Sequence, residues 1–215
     1  MSGFPETVTV ASTAAKPLQP VREPMSTYVQ ANAAFFVALI GIAHPPLARH
    51  SRQVGELVRS FARFLRMTEN LQEELFTVAL FHDLGLLKMD AAVHSTVAMT
   101  ERHYCLDESD HGHAEAGASL IGLLPGISRN SRWIRHHHER YDGSGYPDGL
   151  HANSIPLGAR IIAIADVYDQ RCFERGESTE EAIGFLFTES GRSLDPQLVE
   201  SFAIFSACGS TLIRV

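Results

Sequence analysis

Histidine and aspartate are the residues of this sequence best suited to chemistry. Eleven histidines occur among 215 residues, and most lie between positions 82 and 151. Helical periodicity predicts that seven His and Asp side chains point into the core: His50, His82, Asp83, His113, His137, His138 and Asp166. One inward histidine is usually a satisfied core residue, but so many buried ionisable groups are costly unless a cation gathers them. Imidazole and carboxylate without thiolate predict a transition-metal centre, and a bridging carboxylate suits two ions.

Two of the predicted helices must position His50, His82 and Asp83. A first helix, predicted over 25–43, is ended by two prolines, and His50 lies on the apolar face of the helix that follows. Thr68 can cap the next helix, whose inner stripe reaches His82. Asp83 is rotated from His82 by about 100° if that helix continues.

Three more predicted helices must position the other four residues. His113 lies on the first turn of a helix predicted over 110–125. His137 and His138 end another helix, and Asp166 lies on the buried stripe of a third. Ligands gathered from five helices would tie the metal centre to the folding of the whole domain.

The remaining turn and helix-capping residues of the sequence predict an all-α fold. Residues 141–154 contain repeated Gly and Pro turns and are predicted to form a structured loop. Ser178 with Glu181 makes a capping box for another helix, and Asp195 followed by proline begins the last. Alternating strand patterns are scarce.

Domain limits follow from where the helical periodicity begins and ends. We predict a flexible N-terminal tail over 1–24, one helical domain over 25–205, and a C-terminal tail over 206–215.

Composition excludes several functional classes. The formal charge is −7 and no run of Lys or Arg occurs, so a DNA or RNA polymer is not an expected partner. Three scattered cysteines predict free thiols in a reducing compartment. The apolar stretch 31–43 is too short to span a bilayer, and the N-terminus does not resemble a signal peptide. These features predict a cytoplasmic protein that does not bind membranes.

Several motifs resemble one family. FHDLG, which contains His82 and Asp83, resembles the HD dyad of the HD phosphohydrolase superfamily, and HHERYDGSGYPDGL (137–150) closely resembles the signature of its HD-GYP subfamily. Other segments occur in the family's order: RHSRQV, HAEAG, IPLGARIIAIADVYD and ESGRSLDPQLVESF. The resemblance covers about 47–203 and implies an HD-domain helical bundle with a dinuclear metal centre in its core.

This resemblance implies a metal-dependent phosphodiesterase of bacterial signalling. Its substrate would be cyclic di-GMP or a related cyclic dinucleotide, hydrolysed to linear pGpG and, in some family members, onward to GMP. His82 and Asp83 are then the catalytic dyad. The implied ligands of one metal are His50, His82, Asp83 and Asp166. Asp83 bridges to a second metal, whose other ligands are His113, His137 and His138.

The resemblance also bears on the number and kind of metal. Some family members bind a third ion through a glutamate at the position that Pro46 takes here, so two divalent transition-metal ions are expected. Iron and manganese are the expected metals, and nickel and zinc are further candidates.

The family's substrate contacts carry over less completely. Arg140, Gly145, Tyr146 and Pro147 are the implied substrate-binding residues, although local sequence alone reads the last three as a tight turn and Arg140 as a surface ion pair. Leu86 replaces a lysine that contacts phosphate in most members, and QRCFERG replaces an RPYK-like segment. Both changes remove positive charge, so we expect slow hydrolysis.

Three alternatives stay open at this point. A metal-bound but catalytically weak member would act as a dinucleotide sensor or a protein-interaction module. Another HD phosphohydrolase would act on nucleotides, although the 145–147 motif and the His137-His138 pair count against it. A helical bundle without a site is the third. A diguanylate cyclase or another signalling protein is a candidate partner, and a homodimer is a candidate assembly.

Overall fold

The computed structural model describes residues 33, 35–42, 44–88, 112–124 and 126–209. Over these ranges the predicted all-α fold is confirmed, because they contain no β-strand and only an isolated bridge between Ser190 and Leu194. Residues 33 and 35–42 are helical. The α-helices that follow are α1 (Pro45–Phe64), α2 (Glu69–Leu80), α3 (Gly112–Gly122), α4 (Ser131–Arg135), α5 (Leu157–Asp169), α6 (Thr179–Glu189) and α7 (Pro196–Gly209).

Helix α1 presents one apolar face to the core, and His50 belongs to it. Leu47, Val54, Val58 and Phe61 are buried at helical spacing on either side of His50. Helix α1 packs most extensively against α2, and also against α5 and α7. The core therefore surrounds the imidazole, which is itself buried.

The prediction that Thr68 caps α2 is correct for its position but wrong for its hydrogen bond. Thr68 occupies the N-cap position in an extended conformation, but its side chain makes no capping hydrogen bond. By contrast, the capping box of Ser178 with Glu181 is present at the start of α6. Asp195 accepts hydrogen bonds from the first backbone amides of α7, as the sequence predicts for that helix start.

Two predicted helices end earlier than expected, and both ends lie at the site. Helix α2 ends at Leu80 and α4 at Arg135, so His82 and His137 lie in turns beyond the helices. The histidines themselves supply the reason. Nδ1 of His82 lies 2.8 Å from the carbonyl oxygen of Ala79, and the same atom of His137 lies 2.6 Å from that of Ile134. These side chains satisfy terminal carbonyls that another helical turn would have used.

Other boundaries differ from the sequence prediction by a few residues. Helix α3 ends at Gly122, before the predicted stop at 125. Helix α7 runs to Gly209, so the predicted C-terminal tail (206–215) begins inside a helix. The predicted N-terminal tail lies outside the described residues, and so do residues 25–32, 34 and 43 of the first predicted helix.

The hydrophobic core joins the first and last helices. The rings of Phe61 in α1 and Phe202 in α7 meet edge to face with centroids 4.9 Å apart, and both side chains are fully buried. Cys172 and Cys208 are free thiols, as predicted, while Cys105 lies outside the described ranges. In the described part of the chain, no helix has the length and apolarity to cross a membrane.

Candidate metal centre

The seven predicted His and Asp residues come together in one buried place. Three of them sit on helices: His50 on α1, His113 on α3 and Asp166 on α5. The other four are contributed by the two turns after α2 and α4. The expectation of five ligand-bearing helices is therefore wrong for two of the five. A turn suits these pairs better, because neighbouring residues on a helix point about 100° apart.

Ligand atoms converge in two clusters that share Asp83. Within each cluster all ligand atoms lie within 4.8 Å of one another. One cluster is formed by His50, His82 and Asp83, and the other by Asp83, His113, His137 and His138.

Asp83 has one carboxylate oxygen on each side. Its Oδ2 lies 3.3 Å from Nε2 of His82 and 3.7 Å from Nε2 of His50. Its Oδ1 lies 3.5 Å from Nε2 of His113 and 3.7 Å from Nε2 of His137. A carboxylate placed in this way can bridge two cations.

The imidazoles are held in the tautomer that binds metal. Because a carbonyl oxygen can only accept, Nδ1 of His82 and Nδ1 of His137 must carry the proton, which leaves each Nε2 lone pair facing the cluster. Among the residues that the structure covers, the buried Nε2 of His137 has no hydrogen-bond partner. A buried lone pair of this kind is what a bound cation would satisfy.

Asp166 stands beside the first cluster. Its Oδ1 lies 3.1 Å from Nε2 of His50 and 3.8 Å from Nε2 of His82. Gln170, which follows α5 in a π-helical turn, donates to the same oxygen at 2.9 Å. Asp169 contacts the opposite nitrogen of His50. Asp169 and Gln170 were not among the predicted site residues, although both are buried and lie three and four residues after Asp166.

Electrostatics at His50 favour a positive charge. Burial alone would lower the pKa of His50, but hydrogen bonds to Asp166 and Asp169 outweigh it and raise the pKa well above its usual value. An acidic surrounding that favours an imidazolium also attracts a metal cation. The donor set, its tautomers and its charge thus fit divalent metal ions.

A close approach of two backbones sets the distance from α2 to α3. A Cβ atom on Gly85 would lie 1.9 Å from the carbonyl oxygen of His113 and 2.7 Å from the amide nitrogen of Gly117. Only glycine fits this contact, which brings the turn carrying His82 and Asp83 directly against the first turn of α3.

The Gly-Tyr-Pro loop folds back onto the second cluster. A Cβ atom on Gly145 would lie 2.2 Å from the amide nitrogen of Arg140, so the loop touches the chain that carries the histidines. The Tyr146 ring stacks on the His138 ring with centroids 5.0 Å apart, and the bond between Tyr146 and Pro147 is cis. The predicted structured loop is confirmed.

An open cleft adjoins the second cluster and the loop. Its lining includes three candidate ligands, His137, His138 and Asp166. It also includes two predicted substrate contacts, Arg140 and Tyr146. The Arg140 guanidinium is already engaged: Nε donates to Ser144 at 2.9 Å, and Nη2 lies 3.5 Å from a carboxylate oxygen of Glu189. The positive charge of Arg140 is therefore held in a fixed position on the wall of the cleft.

Sequence analysis also passed over His136 and Glu139, which flank the histidine pair. Both side chains are buried and, with Asp148, form a third group of metal-binding residue types. Arg135 first, and His136 after it, lower the pKa of Asp148 to about 2. The one sequence feature that could have pointed to these residues is the charged Glu139 within a segment that is otherwise well packed.

Comparison with known proteins places this geometry in a family. The HD domain family matches residues 35–198. The 3′3′-cGAMP-specific phosphodiesterase 1 of Vibrio cholerae is 36% identical over 122 residues, which make up 56% of this chain and 27% of that protein. The cyclic di-GMP phosphodiesterase response regulator RpfG of Xanthomonas campestris is 48% identical over 69 residues, 30% of this chain and 18% of that protein.

Solved structures support the same fold. An HDG"Y"P protein from Bdellovibrio bacteriovorus superposes with a TM-score of 0.61 at 19% identity, covering 83% of this chain and 62% of that one. The chain spans less than half the length of the curated relatives it matches. Because the family match extends over most of the chain and the HD and GYP motifs lie within it, the chain belongs to the HD domain family.

Proposed function

We propose that the protein is a metal-dependent phosphodiesterase that hydrolyses a cyclic dinucleotide. The observation that carries the proposal is the position of Asp83, whose two oxygens face two separate clusters of imidazole nitrogens. Two-metal sites with a bridging carboxylate are typical of phosphoester hydrolysis. The relatives named above act on cyclic di-GMP or on 3′3′-cGAMP, which share the 3′–5′ phosphodiester ring.

Two divalent transition-metal ions, iron or manganese first, are the proposed cofactors. His50, His82, Asp83 and Asp166 would hold one, and Asp83, His113, His137 and His138 the other. When bound, such ions activate a water molecule and neutralise phosphodiester oxygens. In the hydrolysis the water oxygen ends on phosphorus, the bond from phosphorus to the ribose 3′-oxygen breaks, and that oxygen takes a proton. Cyclic di-GMP would give linear pGpG by this route.

The protein's own contribution is orientation. Carbonyl acceptors and Asp169 fix the three imidazoles of His50, His82 and His137, so the ligand lone pairs need no rearrangement. In the cleft, Arg140 and Tyr146 are the proposed contacts to phosphate and base. Gly145 lets the loop lie close to the metal ligands, and Pro147 completes the turn.

Weak catalysis with a sensor role is a second candidate, and Leu86 favours it. Its side chain packs against the hydrophobic core, where most family members have a lysine for phosphate. The same chain then keeps every proposed metal ligand while it lacks one positive charge.

Metal analysis combined with a hydrolysis assay tests both candidates. We expect about two manganese ions per chain after loading, and hydrolysis of cyclic di-GMP or 3′3′-cGAMP. Asp83→Ala should lose most of the metal and all measurable turnover, whereas Glu180→Ala, at an exposed acid in the first turn of α6, should lose neither.

The possible results separate the candidates. Full metal content in Asp83→Ala would refute the bridging assignment. Metal binding and cyclic-dinucleotide binding without turnover would establish the sensor in place of the enzyme.

A further inference from the structure

Four consecutive residues face two different parts of the site. His137 and His138 belong to the second cluster of proposed metal ligands. The residues on either side, His136 and Glu139, are buried but face away from that cluster and contact residues 148–150 of the loop. The short segment between α4 and the loop therefore contacts both the proposed metal ligands and the loop.

Glu139 makes the more extensive of the two loop contacts. One carboxylate oxygen accepts the amide of Asp148 at 2.7 Å, and the other accepts the amide of Leu150 at 3.0 Å. The side chain is 3% exposed, so these charge-assisted bonds are shielded from water. A buried carboxylate with both oxygens on backbone amides fixes that backbone.

His136 and Arg135 hold the same point of the loop through its side chain. Nε2 of His136 lies 2.9 Å from Oδ2 of Asp148, and the Arg135 guanidinium bonds to both oxygens of that carboxylate. Asp148 is therefore held by its amide and by its carboxylate. This use of every oxygen argues against a third metal ion among His136, Glu139 and Asp148.

The anchored segment directly follows the aromatic residue of the cleft. Tyr146 stacks on His138 and lines the cleft, and Asp148 is only two residues further along. We propose that Glu139 is a positioning residue: by fixing residues 148–150 it sets the Tyr146 ring over His138 and so shapes the substrate side of the site. The kinetic part of this proposal rests on the proposed function, but the positioning itself does not.

Amide hydrogen exchange of the manganese-loaded protein tests the positioning without any substrate. Glu139→Gln keeps the shape of the side chain but turns an amide N–H₂ toward a backbone donor. We expect exchange in peptides spanning 141–150 to rise by about tenfold or more, since two amides lose a charged hydrogen-bond acceptor. Peptides from α5 and the bound manganese content should stay unchanged.

Asp195→Asn is the matched control. Asp195 is also buried, and its Oδ1 accepts two backbone amides, those of Gln197 and Leu198, at the start of α7. Its Oδ2 pairs with Arg160. The Asp195→Asn variant should lower the melting temperature by about as much as Glu139→Gln does. It should not speed amide exchange in residues 141–150. Equal exchange in that loop for Glu139→Gln and wild type, or an equal rise in the control, would overturn the positioning role.

Kinetics then test its consequence for substrate. For Glu139→Gln we expect KM for cyclic di-GMP to rise about tenfold while kcat changes less than about threefold, because the loop contacts substrate and not the reacting atoms. A fall in kcat with unchanged KM, or loss of manganese, would assign Glu139 to the metal centre instead. If wild type hydrolyses no cyclic dinucleotide, the proposed function fails, and the exchange experiment still decides the positioning.

Discussion

Oδ2 of Asp169 lies 2.7 Å from Nδ1 of His50, on the side of the imidazole that faces away from the metal cluster. Because the opposite nitrogen of His50 faces Asp166 and His82, the ring is fixed at both ends. A carboxylate behind a metal-binding imidazole fixes its tautomer and makes it a stronger ligand. Asp169 thus supports His50, one of the proposed ligands, without being a proposed ligand itself.

We therefore predict that Asp169→Ala binds metal about 10–100-fold more weakly than wild type. Asp169→Asn, which keeps an acceptor for the Nδ1 proton, should lose less. Manganese titration against a competing chelator measures both affinities. Equal affinities for wild type and Asp169→Ala would show that His50 needs no support from behind.

Removing metal should destabilise the fold. The proposed ligands come from three helices and two turns, so bound metal stabilises only the folded chain. At metal concentrations about 100 times Kd, removal should lower the melting temperature by about 5–10 °C. Calorimetry before and after chelation measures the shift. Asp83→Ala provides the control, because it should show no response to chelator; an unchanged wild-type curve after verified metal removal would contradict the linkage.

Leu86 can be tested against its neighbour Leu87. Leu86→Lys should raise turnover of cyclic di-GMP by about tenfold, less than the factor of about 10²–10³ that deleting such a charge costs elsewhere. Since Leu86 packs against the core, the free energy of unfolding should fall by about 1–2 kcal/mol. Leu87→Lys, at a 38% exposed position, should change neither quantity. Wild-type turnover as fast as that of a lysine-bearing relative would show that the missing charge is irrelevant.

A methyl group on Gly145 should displace the loop. Gly145→Ala places a Cβ atom 2.2 Å from a backbone nitrogen, so we expect a loss of about 1–3 kcal/mol in stability and a larger proportional loss in turnover. Gly184→Ala in α6 meets nothing within 4 Å and should stabilise the protein by up to about 1 kcal/mol. Thermal melts and initial rates on both variants decide the matter. Wild-type rates in Gly145→Ala would mean that the loop's closeness is unimportant.

The sequence predicts which His and Asp side chains lie together in the core better than it predicts the backbone that carries them. Periodicity correctly placed His50 and Asp166 on buried helical faces, because a 3.6-residue stripe is a local property. It extended the helices through His82 and His137, because the hydrogen bonds from these side chains to Ala79 and Ile134 depend on the rotamers. Such competition between side chain and backbone has no signature in apolar spacing.

Supporting residues were missed for a related reason. Asp169 is 119 residues from His50 along the chain, and only the packing of α5 on α1 brings them together. Glu139 is close in sequence to the residues it holds, but its role depends on the path of the loop between 141 and 150. A residue that positions another can be recognised only when both ends of its contact are known.

The backbone contact at Gly85 affects how far the core around the site tolerates substitution. Because main chain rests on main chain here, the distance between the turn that carries His82 and Asp83 and the start of α3 is set by backbone atoms and not by a side chain of the core. Leucines and valines around the centre can then drift in size over evolution, and randomised core libraries can be screened, without changing the distance between His82 and His113. A methyl group at position 85 would collide with the backbone of His113 and Gly117, so a single added carbon atom forces α3 and the turn that carries Asp83 apart.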